Sequence, residues 1–299
     1  MTTTHQAIPS PHLSEEQIRL WDECGYFISD VLFDEGDLVQ VRRHMAAVFA
    51  QEYETNVPPN KVDWWPGDPP TNLKKVDNAW WADETIRRMV FSPALSAMAA
   101  RLAQTETIRL FQDQLLEKPG IGSQPHRSAT VGWHQDHAYW KCATPGHLLT
   151  ARVAIDAETR ENGCMQVIRG SHRWPMQSTK HFFQADADVD DLPEFDVPPS
   201  ETLQRVYLEL EPGQASFHHC RTLHGSTENR TQYPRRTVIV HMMPEPTRYR
   251  ANTGDHPWNV AVLASQKDGG LRDGDLWEGD RFPVLFSSGS NSIRDETQQ

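Results

Sequence analysis

At 299 residues, with 37% apolar and 9% aromatic side chains including ten tryptophans, the chain can bury a sizeable core, and β-rich domains of this length form single units. A formal net charge of -12 opposes binding to nucleic acid or to an anionic membrane and leaves small diffusible molecules as the expected partners. Four scattered cysteines without a Cys-x-x-Cys pair exclude a zinc ribbon or a disulfide framework, and no window approaches about 18 apolar residues, so a soluble cytoplasmic protein is expected.

The first pattern in chain order is helical. Ser14 and Gln17 make a capping-box pair, Ile18, Trp21 and Cys24 recur at helical spacing, and Gly25 stops the run. Tyr26-Phe27-Ile28 reads as a short strand. Residues 38–53 read as a second helix with Leu38, Val41, Met45, Val48 and Phe49 on one face. Between 54 and 81, prolines alternate with Trp64, Trp65, Trp80 and Trp81, a composition that excludes a regular element. Those tryptophans either pack on the core or form a lid over a pocket. A helix over 82–101 follows, with Pro93 near a break.

From residue 107 the period becomes that of strands. Residues 107–118 alternate imperfectly, with Gln112, Gln114, Leu116 and Lys118 sharing one face. Residues 147–156 alternate cleanly, Leu149, Ala151, Val153 and Ile155 opposing Thr150, Arg152, Ala154 and Asp156. Asn162-Gly163 reads as a tight turn, 205–211 as a strand ending at Pro212-Gly213, and 235–243 as the last long strand. The acidic stretch 184–200 lacks the glycine and terminal glutamate of a calcium loop and reads as a solvated connector. Trp258 and Trp277 are the expected anchors of the tail, and 287–299 is expected to fray. Many short strands without long intervening helices give a mainly β fold with flanking helices, a sandwich or barrel. The expected organisation is one catalytic domain over 1–299: a helical region at 13–105, a β core at 106–244 and a C-terminal extension at 245–299.

Chemistry concentrates at Gly132-Trp133-His134-Gln135-Asp136-His137, which contains the only His-x-Asp triplet in the sequence. Chance alone supplies about one such triplet in a chain with this many histidines, so its meaning depends on a third ligand. Two imidazoles and one carboxylate leave open positions on iron(II) for a co-substrate and oxygen, and an i, i+2 pair at a strand end sends both side chains to one side. His224, 88 residues after Asp136, is the leading candidate for the third ligand, with His218 and His219 as competitors that spacing alone does not dismiss. A dicarboxylate co-substrate would need a buried planar cation, which Arg235 or Arg236 offers, 11 and 12 residues after His224.

These residues, with Ala154-Ile155-Asp156-Ala157-Glu158-Thr159-Arg160-Glu161-Asn162-Gly163-Cys164-Met165, Ile168-Arg169-Gly170-Ser171-His172 and His224-Gly225-Ser226, resemble the phytanoyl-CoA dioxygenase family of iron(II)- and 2-oxoglutarate-dependent oxygenases. The resemblance runs from about Leu13 to Pro244 and lies in the ordered set of motifs. It implies a double-stranded β-helix, the jelly-roll or cupin-like core. It implies His134, Asp136 and His224 as iron ligands, Arg235 as the clamp on the distal carboxylate of 2-oxoglutarate, and Ser226 as its hydroxyl partner. Gln114 and Lys118 fall near the co-substrate, and Gln112, His137, Trp140 and Arg152 near the substrate. Arg152 departs from the pattern, standing where some relatives carry an aromatic beside the co-substrate; it either bridges to an acidic neighbour or reads a substrate anion. The implied reaction is hydroxylation or another oxidation of an unactivated carbon, with 2-oxoglutarate and O2 converted to succinate and CO2. The carboxylate of Asp136 favours oxygen transfer over halogenation, since halogenating relatives lack it. The rivals are a cupin-like metal-dependent isomerase or hydrolase, and a non-catalytic 2-oxoglutarate-binding sensor. A homo-oligomer is compatible with the sequence, and the substrate is not readable from it.

Overall fold

The computed structural model describes residues 13–120, 129–177, 194–251 and 270–289, together with Val189, Leu192 and Thr253. Helix α1, Glu15–Cys24, starts at the expected capping box: Ser14 Oγ accepts from Gln17 N, and Gln17 Oε1 accepts from Ser14 N. It ends where Gly25 turns left-handed at φ 75°, a place where a Cβ would lie 2.3 Å from the His172 ring. Strand β1, Tyr26–Val31, follows, then α2, Glu35–Phe49, which Asp34 caps and which buries the five predicted apolar residues. It stops four residues short of the expected end. The region 82–101 is two helices rather than one, α3 at Glu84–Val90 and α4 at Pro93–Leu102, because Pro93 takes the first position of a new helix.

Residues 54–81 also differ from expectation. They contain β2, Lys61–Val62, and β3, Lys74–Asp77; the second is a proline-free tetrapeptide whose backbone is open to pairing. Trp80 is buried against Phe91, whereas Trp65 is 51% exposed.

The remaining strands are β4 Thr107–Lys118, β5 Val131–His134, β6 Ala143–Thr144, β7 Leu149–Ala154, β8 Met165–Ile168, β9 Arg205–Leu208, β10 Gln214–His219, β11 His224–Ser226, β12 Arg235–Pro244, β13 Arg248–Tyr249 and β14 Val284–Ser287. An eight-stranded antiparallel sheet runs β1-β10-β7-β12-β4-β3-β2, with β14 also on β4, and a four-stranded sheet runs β5-β11-β8-β9. This is the jelly-roll arrangement of two facing antiparallel sheets. Its larger sheet takes strands from both ends of the chain as well as from the centre. Asn162-Gly163 lies in the turn before β8, as expected; Gly163 has φ 75°, and a Cβ there would meet Thr227 O at 2.4 Å.

The larger sheet sorts its residues by alternation. Leu149, Ala151 and Val153 of β7, Val238, Val240 and Met242 of β12, and Phe217 of β10 join Leu38, Met45 and Ile86 in one core beneath the helices. The opposite face, Thr150 and Arg152 on β7 and Arg235, Ile239 and His241 on β12, turns inward to a cavity. The imperfect alternation of β4 has a physical cause: a bulge between His241↔Gln112 and Met242↔Leu110 adds one residue and sends Phe111 into a different cluster. That cluster closes the base of the barrel and includes Trp140, Trp277 and Phe282. Trp277 is the expected tail anchor; Trp258 lies outside the described residues, as does most of 184–193. Ser287, expected to fray, instead ends β14 and pairs with Thr107.

Because Trp277 is 1% exposed and meets Phe111, Tyr249 and Phe282 edge to face, Trp277→Ala should lose about 3–5 kcal/mol of stability, read from urea unfolding. A loss below about 1 kcal/mol would show that the tail is not part of the fold.

Candidate active site

Strand pairing brings the distant histidines together. His134 ends β5, His224 opens β11, and the two are register partners with ring centroids 4.0 Å apart. Asp136 begins a short 3-10 turn, Asp136–Tyr139, directly after β5. Each histidine commits its Nδ1–H to a carbonyl two residues upstream, His134 to Gly132 O at 2.8 Å and His224 to Thr222 O at 2.9 Å. A carbonyl only accepts, so Nδ1 carries the proton and a neutral ring presents a bare Nε2. Both Nε2 atoms face Asp136 Oδ1, at 3.4 and 3.5 Å. Two lone pairs and an anionic oxygen converging on one point repel one another unless a cation joins them. Edges of this length fit an ion about 2.1 Å from each donor.

The other carboxylate oxygen is pinned. Asp136 Oδ2 accepts from Thr150 Oγ1 at 3.1 Å and from His218 Nε2 at 3.1 Å, and Thr150 accepts in turn from His241 Nδ1 at 2.8 Å. Burial would raise the Asp136 carboxyl, yet it lies well below the usual carboxylate range, and the hydrogen bond that His218 donates to Oδ2 is among the causes. Burial, then the neighbouring His134 ring, holds His224 well below its ordinary value, which keeps it in the neutral form that ligates a metal.

A cavity of about 690 Å³ opens over these groups. Arg235, 1% exposed, lines it, with Nη1 2.8 Å from Glu158 Oε1 and 3.2 Å from Thr237 Oγ1. Arg236 points away, paired with Glu117 at 3.0 Å and Asp156 at 3.1 Å. Arg152 both lines the cavity and bridges to Glu158 at 3.3 Å.

Phytanoyl-CoA dioxygenase (PhyH) is the family whose pattern matches residues 21–237. The chain belongs to the phytanoyl-CoA dioxygenase family. Bovine peroxisomal phytanoyl-CoA dioxygenase is 22% identical over 278 residues, covering 89% of this chain and 80% of that protein. A probable alpha-ketoglutarate-dependent hypophosphite dioxygenase of Stutzerimonas stutzeri is 28% identical over 173 residues, 56% of each. Among solved structures, the non-heme alpha-ketoglutarate-dependent epimerase SnoN from nogalamycin biosynthesis matches with a TM-score of 0.72 and 27% identity, covering 91% of this chain and 97% of that one. The carbocyclase SnoK from the same biosynthesis gives 0.67 and 25%, covering 91% and 96%. Membership of this family makes the protein an iron(II)- and 2-oxoglutarate-dependent oxidoreductase, with O2 as co-substrate.

The family residues expected from the sequence divide into two groups. His134, Asp136, His224, Arg235, Ser226, Gln114, Trp140 and Arg152 all line the cavity. Lys118, Gln112 and His137 are not among the residues lining it. Lys118 is fully buried and gives its ammonium hydrogens to the carbonyls of Ala129, Ser226 and Thr227, so it ties strands together and has no donor left for a co-substrate. Gln112 sits at the bulge opposite His241. His137, one step further round the 3-10 turn than Asp136, faces Gly146, where a Cβ would lie 2.7 Å from its ring.

Sequence reasoning missed Thr150, His241 and Glu158, and weighed His218 only as a metal ligand. The signal for Thr150 was present: it shares the inward face of β7 with Arg152. His241 is its register partner across β12, which no local pattern reveals. Thr150→Val should weaken divalent-metal binding about 10- to 100-fold by releasing Asp136 Oδ2, as measured by chelator competition. Unchanged affinity would show that the carboxylate does not depend on this hydroxyl.

Proposed function

We propose that the protein oxidises an unactivated carbon of a small-molecule metabolite, with His134, Asp136 and His224 holding iron(II) and Arg235 holding the distal carboxylate of 2-oxoglutarate. The observation that carries this reading is the convergence of the His134 and His224 Nε2 atoms and Asp136 Oδ1 in the same cavity that Arg235 lines. When bound, iron with 2-oxoglutarate and oxygen supplies the oxidising equivalents, and the co-substrate leaves as succinate and carbon dioxide.

The chain's own contribution is placement and exclusion. His134 and His224 are fixed in one tautomer by their carbonyl partners, so their lone pairs cannot swing away. Thr150 and His218 occupy Oδ2, so Asp136 would offer a metal its Oδ1 alone. Arg235, buried and planar, offers a charge-assisted fork to a carboxylate, and Ser226 on the adjoining β11 brings a hydroxyl to the same cavity. Leu116, Val131, Met165 and Ile239 supply apolar wall that excludes water, while Tyr139 and Trp140 bring aromatic surface beside the metal ligands. Lys61, Asp63, Leu73 and Lys75, from the β2–β3 region, complete the lining. These side chains are the substrate-reading part of the proposal.

A second reading concerns the outcome at carbon. The similarity to an epimerase and a carbocyclase, at 27% and 25% identity, supports stereochemical inversion or ring closure as alternatives to hydroxylation and a secondary metabolite as substrate. Product mass separates them: hydroxylation adds one oxygen, ring closure removes two hydrogens, and inversion changes nothing.

Asp136→Ala should abolish substrate-dependent succinate formation, and wild-type turnover in that variant would overturn the ligand assignment. Arg235→Met should raise the KM for 2-oxoglutarate at least about tenfold, whereas Arg236→Met, which breaks only its pairs to Glu117 and Asp156, should leave that KM within about twofold. The reverse order would assign the clamp to Arg236.

A further inference from the structure

Glu158 is fully buried and stands between two arginines. Its Oε1 accepts from Arg235 Nη1 at 2.8 Å and from the Thr237 hydroxyl at 2.7 Å, and both its oxygens lie 3.3 Å from Arg152 Nη2. Burial would raise this carboxyl, and the charges of Arg152 and Arg235 outweigh it and hold it below its ordinary value. The cluster therefore sets two guanidinium charges, 5% and 1% exposed, against one carboxylate. Two like charges sharing one small anion out of water repel each other, and such an arrangement persists where a further anion completes it. Arg152 Nη1 and Arg235 Nε are both buried without a hydrogen-bond partner among the described residues. Lys118, the register partner of Arg235, adds no negative charge, and among the described residues its Nζ bonds only to neutral carbonyls.

The direction of Arg152 decides which anion. On the inward face of β7, Thr150 serves the metal ligand Asp136, and Arg152 comes next, followed by Ala154. Ala154 is the register partner of Thr237. By reaching Glu158, which Thr237 and Arg235 also bond, the Arg152 guanidinium leans away from Thr150 and toward the Arg235 end of the cavity. A substrate anion placed beside the metal would call for the opposite lean.

We propose that Arg152 is a second specificity residue for the co-substrate, held beside Arg235 by Glu158 so that this end of the cavity keeps a guanidinium charge that Glu158 does not offset and selects a 2-oxo acid with a distal carboxylate. The proposal rests on the co-substrate reading given above and adds to it a residue outside the expected clamp. Glu158 is the positioning group: it fixes both forks and offsets one of the two guanidinium charges.

The test is calorimetric titration of metal-loaded protein, without oxygen, with 2-oxoglutarate and with 2-oxopentanoate, which has the same chain length and no distal carboxylate. Wild type should prefer 2-oxoglutarate. Arg152→Met should cut that preference about tenfold or more through 2-oxoglutarate alone, leaving 2-oxopentanoate and metal affinity within about twofold. Arg152→Lys, which keeps the charge, should recover part of the preference. In the Arg152→Met/Arg235→Met pair the losses should be less than additive, because both residues act on one carboxylate. Equal weakening of both acids, or an unchanged ratio with wild-type binding intact, would reduce Arg152 to a structural partner of Glu158 and overturn the proposal alone. Absence of 2-oxoglutarate binding by the wild type would overturn it together with the reading beneath it.

Discussion

Asp136 divides its two oxygens between different tasks, and the site depends on that division. Oδ2 is taken by Thr150 and His218, which leaves Oδ1 as the one anionic atom facing the two histidine nitrogens. Neither partner could do this from a loop. Thr150 and His218 are register neighbours on β7 and β10, so their spacing is fixed by the larger sheet, whereas Asp136 follows a strand of the smaller one. The two sheets are thereby held in register with each other by a carboxylate.

The charge distribution is the second organising fact. A protein of net charge -12 carries a buried pair of arginines around one glutamate, with a lysine close behind. Burial, then the charges of Arg235 and Arg152, pushes the Lys118 ammonium well below its ordinary value.

Much of this was legible in the sequence, for reasons that can be named. The alternation of β7 survives because one face packs on helices and the other lines a cavity, so Leu149, Ala151 and Val153 separate cleanly from Thr150 and Arg152. The His134, Asp136 and His224 group is compact because its pattern is local on one side and a strand pairing on the other. What was not legible depends on register. The bulge that displaces Gln112 and Phe111, the His241–Thr150 partnership and the binding of Glu158 to two arginines all arise from which residue lies opposite which, and a single sequence carries no such information. Lys118 shows the converse error: the face it occupies was read correctly, but a buried ammonium was taken by nearby carbonyls before any ligand could claim it.

The placement of β2 and β3 has a consequence for the cavity. They hang on the outer side of β4, at the edge of the larger sheet, and bring Lys61, Asp63, Leu73 and Lys75 to the cavity without contributing a metal ligand. Substitutions or insertions along this margin would therefore reshape the cavity wall without touching the strands that carry the candidate ligands His134 and His224 or Arg235.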